Sequence, residues 1–190
     1  MNSLDIRSES PNSPVAQPSP WITRWGMAAP AGGRVLDLAC GTGRHARWFA
    51  LRGHSVDAVD RNADALAALT GVANVRPLCA DLEGDKSVWP YPDSNGAYAC
   101  VVVTNYLHRP LFPRLLDALA PAGMLIYETF ALGNERFGRP SNPHFLLRPG
   151  ELLELVRGRL FVQAYEDLTV DLPRPARVQR ICAVHATNAV

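Results

Sequence analysis

Hydrophobic positions in this chain fall into short continuous blocks, separated by stretches where apolar residues recur every three or four positions. The first block, 35–39, is almost wholly apolar and predicts a strand buried on both faces. An amphipathic stretch over 44–51, closed by Gly53, predicts a helix with a glycine just past its end. The pattern then repeats. Residues 56–59 form a second strand, and Asn62 caps a helix running to 69 that Gly71 closes. Residues 75–79 form a third strand, where Pro77 removes a ladder donor and points to an edge position. A polar connection over 83–96 leads to the most apolar strand of the chain, 98–103. Pro110 suits the first turn of a helix to 119, residues 121–123 turn, and 124–128 make a fifth strand. Residues 131–148 have no period and are long for a structureless loop, which marks a functional candidate. Pro149 opens a helix to 156. The closing runs, 160–170 and 178–185, lie too close for a crossover helix, so they pair antiparallel.

Strand and helix in alternation, with right-handed crossovers, predict an α/β doubly wound parallel sheet with helices on both faces and an antiparallel terminal hairpin. Ahead of it, Trp21, Ile22, Trp25 and Met27 recur at helical spacing and predict a short helix packed near the mouth of the sheet. Residues 1–20, rich in Pro, Ser and Asn, are expected to be a disordered tail, leaving 21–190 as one domain.

Charge and cysteines narrow the function classes. A net charge of +1 gives no global field toward nucleic acid or acidic membrane. No apolar run spans a bilayer and no secretory leader pattern opens the chain, so a cytoplasmic location is expected. Cys40, Cys79, Cys100 and Cys182 form no paired metal-ligand spacing, so no metal site is expected and they read as small buried hydrophobes. An Arg- and Ala-rich composition with one lysine, Lys86, suggests a bacterial source.

The chemistry concentrates where the first strand ends. Ala39-Cys40-Gly41-Thr42-Gly43-Arg44 lies between a strand and a helix, where glycines let the backbone approach a ligand and a helix N-terminus offers free N–H groups. Asp60 ends the second strand, placed to accept both hydroxyls of a ribose, with Arg61 beside it. Asp81 and Leu82 follow the third strand, placed for an adenine edge. Asp37, inside the first strand, would be costly if buried unpaired. Its expected role is to order the glycine loop by accepting backbone hydrogen bonds, with contact to a ligand ammonium as an added role.

These residues resemble the motifs of the class I S-adenosylmethionine-dependent methyltransferases. Residues 35–44 are similar to the first motif, Val59-Asp60 to the acidic second, Ala80-Asp81-Leu82 to the third and 98–106 to the fourth. The Gly-Arg-His after the loop and the short chain resemble the tellurite-resistance (TehB-like) small-molecule group. The resemblance implies a Rossmann-like seven-stranded sheet ordered 3-2-1-4-5-7-6, S-adenosylmethionine as cofactor, and methyl transfer to a small-molecule acceptor. It implies that Ala39, Gly41 and Gly43 approach the methionine end, Asp60 the ribose, and Asp81 with Leu82 the adenine. Asn105 is followed by Tyr106, Leu107 and His108 rather than by the Pro-Pro-aromatic run of amino-methylating nucleic-acid enzymes. No nucleic-acid or membrane partner is therefore expected.

On the acceptor side, His108 is the candidate general base, against a plain reading as a solvent-facing histidine at a helix start. A sulfonium donor needs chiefly an in-line acceptor at attack distance, so a base is needed only where the acceptor must lose a proton. Asn105 is a candidate to orient and Tyr106 to wall the pocket. Two rivals stand beside this reading. One is an NAD(P)-dependent oxidoreductase, whose degenerate G-x-G-x-x-A pattern residues 41–46 also satisfy. The other is a catalytically silent cofactor-binding partner subunit.

Overall fold

The computed structural model describes residues 16–84, 89–91 and 93–185. Most of the expected tail, residues 1–15, and the only lysine, Lys86, lie outside the described residues. Seven strands form one sheet: β1 (Arg34–Leu38), β2 (Ser55–Asp60), β3 (Val75–Cys79), β4 (Tyr98–Thr104), β5 (Leu119–Phe130), β6 (Leu160–Val170) and β7 (Ala176–His185), in the order β3-β2-β1-β4-β5-β7-β6. β1 to β5 run parallel, and β7 pairs antiparallel with both β5 and β6. The expected order and terminal hairpin are both present.

Among the described residues five α-helices accompany them: α1 (Pro20–Gly26), α2 (Arg44–Ala50), α3 (Ala63–Ala67), α4 (Phe112–Asp117) and α5 (Glu151–Val156). Asn62 caps α3, its Oδ1 accepting from the Ala65 amide at 3.1 Å. Two apolar layers flank the sheet. One packs Leu36, Val101, Leu125 and Ile181 against α4 and α5. The other packs Val35, Val102, Ile126 and Cys182 against α1, α2 and α3. Alternate residues of each inner strand thus face opposite layers, which is why their sequences are continuously apolar.

Several boundaries differ from expectation. β5 begins at Leu119 rather than 124, because Leu119 pairs with Tyr98 before a register shift at the positive-φ Ala122. The expected helix from Pro110 starts as a 3₁₀ turn, Arg109–Leu111, before α4. α1 presents Trp21 and Ile22 to the core, but Met27 lies past its end and is exposed. The tail boundary is also too late: Ser19, assigned to the tail, is buried and caps α1. Of the four cysteines, Cys79 is exposed because β3 is the sheet edge, as Pro77 suggested.

Candidate functional site

The winding of the sheet reverses between β1 and β4, and such a switch point opens a crevice at the carboxyl ends of the strands. The two residues that leave those strands there, Ala39 and Asn105, both adopt left-handed backbone, with φ of 54° each. Such conformations are disfavoured for residues with a Cβ and cluster at ligand sites. Asn105 is held by its amide on the Glu128 carbonyl at 2.9 Å.

Gly41 and Gly43 meet different demands. Both have positive φ, 55° and 76°. A Cβ on Gly41 would meet nothing within 4 Å, so its face opens into the crevice. A Cβ on Gly43 would lie 2.4 Å from the Leu69 side chain, so this glycine is needed for close packing of α2 against the end of α3.

Asp60 joins the acid of β2 to this loop. Its Oδ2 accepts from the Gly41 amide at 2.7 Å and its Oδ1 from the Asn62 amide at 2.9 Å. A carboxylate has about four lone-pair sites, so two remain for the hydroxyls of a sugar. Asp81 is exposed beyond β3 and accepts from the Glu83 amide at 2.9 Å, while Leu82 is buried beside it. Arg61 is exposed, and its carbonyl accepts from the Cys79 thiol at 3.6 Å. The structure therefore gathers Ala39, Gly41, Gly43, Asp60, Arg61, Asp81 and Leu82 along the carboxyl ends of β1, β2 and β3.

Asp37 is fully buried in β1. Its Oδ2 accepts from the Ala46 amide in the first turn of α2 at 2.8 Å, while Oδ1 has no partner among the described residues. Burial pushes its carboxyl up to about 7, against the pull of the Ala46 amide and Arg44; nearby Asp60 adds to the rise. A buried carboxylate oxygen without a donor fits a cationic ligand group.

Of the residues expected on the acceptor side, Tyr106 is partly buried, its carbonyl held by the Tyr127 hydroxyl at 2.8 Å. Its own hydroxyl is pushed above the ordinary range by burial and by the neighbouring Glu83 and Asp81 carboxylates. That hydroxyl therefore lies toward the β3 end of the crevice. His108 is partly exposed and precedes the 3₁₀ turn, where its carbonyl accepts from the Leu111 amide at 3.1 Å; its imidazole has no hydrogen-bond partner among the described residues. The next residue, Arg109, is the anchor of the long loop: it grips Glu151 twice (2.6 and 2.9 Å) and the carbonyls of His144 and Leu146. Burial alone would raise the Glu151 carboxyl, but Arg109 and Arg148 outweigh it and hold the group below its ordinary value. Asn134 is buried and binds the Pro140 carbonyl and the Arg177 amide. The loop is thus fixed at both ends. Arg148 is spent on Glu151, whereas Arg136, Phe137 and Arg139 are exposed.

Sequence reasoning missed one buried polar cluster. The Ser19 amide donates to His45 Nε2 at 3.1 Å, and the Ser19 hydroxyl donates to Glu128 Oε1 at 3.0 Å. Glu128 also pairs with Arg180 at 2.7 Å, and Arg180 with Glu166 at 3.1 Å. Burial, reinforced by Arg44, pushes the His45 imidazole down to about 3, so it is neutral and accepts at Nε2. The Ser-Pro-Trp run was a readable helix-start signal, hidden by the prolines before it. Across the terminal hairpin, Arg180 pairs with Glu166 and Arg177 with Asp167.

A groove crosses the opposite ends of β1, β2 and β3, lined by Arg34, Asp57 and Arg76. Both arginines are spent on Asp57, at 2.6 and 2.7 Å, and the Tyr98 hydroxyl binds it too. This cluster serves the fold, remote from the glycine loop.

Fold, glycine loop and paired acids together define the class I Rossmann-like methyltransferase architecture. Residues 35–123 match the family described as a methyltransferase domain. By fold the chain is similar to S-adenosylmethionine-dependent methyltransferases of the TehB-like type. It is 33% identical over 105 residues to the ribosomal RNA small subunit methyltransferase C of Chromohalobacter salexigens, covering 54% of this chain and 28% of that protein. TehB from Haemophilus influenzae superposes with a TM-score of 0.70 at 18% identity, over 87% of this chain and 61% of that one. An S-adenosylmethionine-dependent methyltransferase from Mesorhizobium loti gives 0.64 at 19% identity, over 86% and 96%. The chain thus spans about a quarter of the curated relative's length and under two thirds of TehB. The cofactor in the name of the Mesorhizobium loti enzyme is S-adenosylmethionine, and the unpaired oxygen of Asp37, the open face of Gly41 and the anchored Asp60 fit such a group.

Proposed function

We propose that this protein is an enzyme that transfers a methyl group from S-adenosylmethionine to a small-molecule acceptor in the bacterial cytoplasm, releasing S-adenosylhomocysteine. The observation that carries the reading is the 2.7 Å bond from the Gly41 amide to Asp60, which locks the sugar-binding acid onto the glycine loop at the switch point. When bound, the cofactor supplies a methyl sulfonium that is already electrophilic. The chain's part is then to bind and align. The Ala39–Gly43 backbone and Asp37 hold the amino-acid end, Asp60 the ribose, and Asp81 with Leu82 the adenine. Asn105, Tyr106 and His108 line the acceptor side, with His108 free to take a proton where an acceptor must lose one.

A small acceptor is favoured by the net charge of +1 and by the Asn105-Tyr106-Leu107-His108 sequence. The anchored loop after β5 leaves Arg136 and Arg139 exposed for an acidic group on that acceptor. No helix among the described residues is long and apolar enough to cross a membrane. Calorimetric titration with S-adenosylhomocysteine and with NADH is the first test, followed by a labelled-methyl screen of thiols, oxyanions, small amines and ribosomal RNA. Binding of NADH in place of S-adenosylhomocysteine would select the oxidoreductase. Cofactor binding without methyl transfer to any acceptor would select the silent subunit, and labelled RNA would overturn the small acceptor.

A further inference from the structure

The segment before α1 crosses the mouth of the crevice. The Gln17 carbonyl accepts from Arg44 Nη1 at 3.3 Å, and Ser19 reaches His45 and Glu128. Arg44 and His45 are the first two residues of α2, directly after the glycine loop, and Glu128 lies near the end of β5. Residues 17–19 therefore run from the cofactor loop to the acceptor side. Ser19 uses every polar atom it has: its amide on His45, its hydroxyl on Glu128 and from the Trp21 amide at 3.2 Å, and its carbonyl from the Thr23 amide at 2.9 Å. Beyond His45, Nδ1 lies 3.4 Å from the Thr104 hydroxyl, at the end of β4.

Apolar packing of Trp21 and Ile22 would hold α1 to the sheet with some freedom to slide. Hydrogen bonds among buried groups allow one register, because a displaced strap would leave the His45, Ser19 and Glu128 atoms buried without partners. The cluster is thus a device for placing the strap, more than for adding stability.

We propose that Ser19 is a positioning residue, clasping residues 16–20 as a wall of the acceptor pocket and tying that wall to the cofactor loop. This rests on the methyltransferase reading above. A ligand seated on the amides of residues 39–43 orders the N-terminus of α2. Two of the strap's three anchors, Arg44 and His45, sit in that turn, and the third is Glu128. Ordering the loop therefore orders the strap, and an acceptor meets a finished pocket only after the cofactor has bound.

Limited trypsinolysis reads the strap directly, because Arg24 is exposed on α1 and its bond is cut only when the segment opens. Cleavage after Arg24 is followed by mass spectrometry with and without saturating S-adenosylhomocysteine, in the wild type, Ser19→Ala and Glu128→Gln. Calorimetry gives the affinity of each for the same ligand. The wild type is expected to show at least fivefold slower cleavage when liganded. Glu128→Gln keeps that protection, since its amide oxygen still accepts the Ser19 hydroxyl while only the ion pair with Arg180 is lost. Ser19→Ala loses it, with ligand affinity within about twofold of wild type. For the acceptor found in the methyl screen, Ser19→Ala should raise KM about tenfold at near-constant kcat. Equal protection in Ser19→Ala and wild type overturns the proposal, as does loss of protection in both variants alike, which would mean general loosening. Ligand binding without protection in the wild type also overturns it and leaves the methyltransferase reading intact. Absence of binding in the wild type removes both.

Discussion

Replacing Asp37 with asparagine separates what this acid costs the fold from what it gives the ligand. Burial lifts its carboxyl from 3.8 to about 7. Between those values the folded chain holds a proton that the unfolded chain has released. Stability therefore falls as pH rises from about 4 to 7, and stays low above that. At about 1.4 kcal/mol per unit, the charged form costs the free protein about 4 kcal/mol at pH 8. Asparagine keeps an oxygen for the Ala46 amide and carries no charge. Its NH2 takes the place of the unpaired Oδ1, an unmet donor that costs about 1–3 kcal/mol. Asp37→Asn should thus be about 2 kcal/mol more stable than wild type at pH 8, and no more stable at pH 4.5. His45 acts in the other direction, since its depressed folded value of about 3 leaves the unfolded chain to take up protons below 6.5. That costs both proteins about 2 kcal/mol at pH 5, so it cancels in the comparison. Urea unfolding of the two proteins at pH 4.5, 6 and 8 measures the difference. Calorimetry at pH 8 should show S-adenosylhomocysteine binding weakened by about 10–100-fold, the loss of a charge-assisted contact. If the variant is destabilised by the same amount at every pH, Asp37 is already ionised and partnered in the free protein, and the reasoning fails.

Four further outcomes follow from the same geometry. Gly43→Ala, with its Cβ driven into Leu69, should lose about 2–4 kcal/mol in thermal or urea unfolding, whereas Gly41→Ala should lose only about 1 kcal/mol of backbone strain yet bind S-adenosylhomocysteine at least tenfold more weakly. Asp60→Ala should weaken that ligand about 100-fold by calorimetry, while the melting temperature falls by only a few degrees. Glu151→Ala should cost about 2–3 kcal/mol by urea unfolding and speed proteolysis of the 131–148 loop, because Arg109 loses its partner and the loop its anchor. His108→Ala should leave turnover within about twofold for a thiol or oxyanion acceptor, measured by labelled-methyl transfer; a hundredfold loss would assign it an obligatory base.

The half of the molecule proposed to bind the cofactor was legible because its constraints are local in sequence. A buried parallel strand must be apolar throughout, a tight turn into a helix must use glycine, and the acids stand directly after the strands that carry them. β1, β2, β3 and β4 and the positions of Gly41, Gly43 and Asp60 follow from those rules, and the structure places them together. The edge role of β3 was readable from Pro77 alone. What escaped was set by contacts between distant segments. Ser19 meets Glu128 across 109 positions and His45 across 26, so its burial has no trace in the surrounding prolines and serines. Arg109 reaches Glu151 across 42 positions, and that single pairing turns an aperiodic loop into an anchored one. The side proposed for the acceptor rests on such contacts: Ser19 ties the strap to Glu128 near the end of β5, and Asn134 ties the 131–148 loop to Arg177 of the terminal hairpin. A donor shared by a whole superfamily can be bound by residues that follow fixed strands, whereas an acceptor particular to one enzyme is enclosed by whatever distant segments fold over it. The clasp at Ser19 is where these two halves meet, and it is why binding of the donor should be felt in the wall that faces the acceptor.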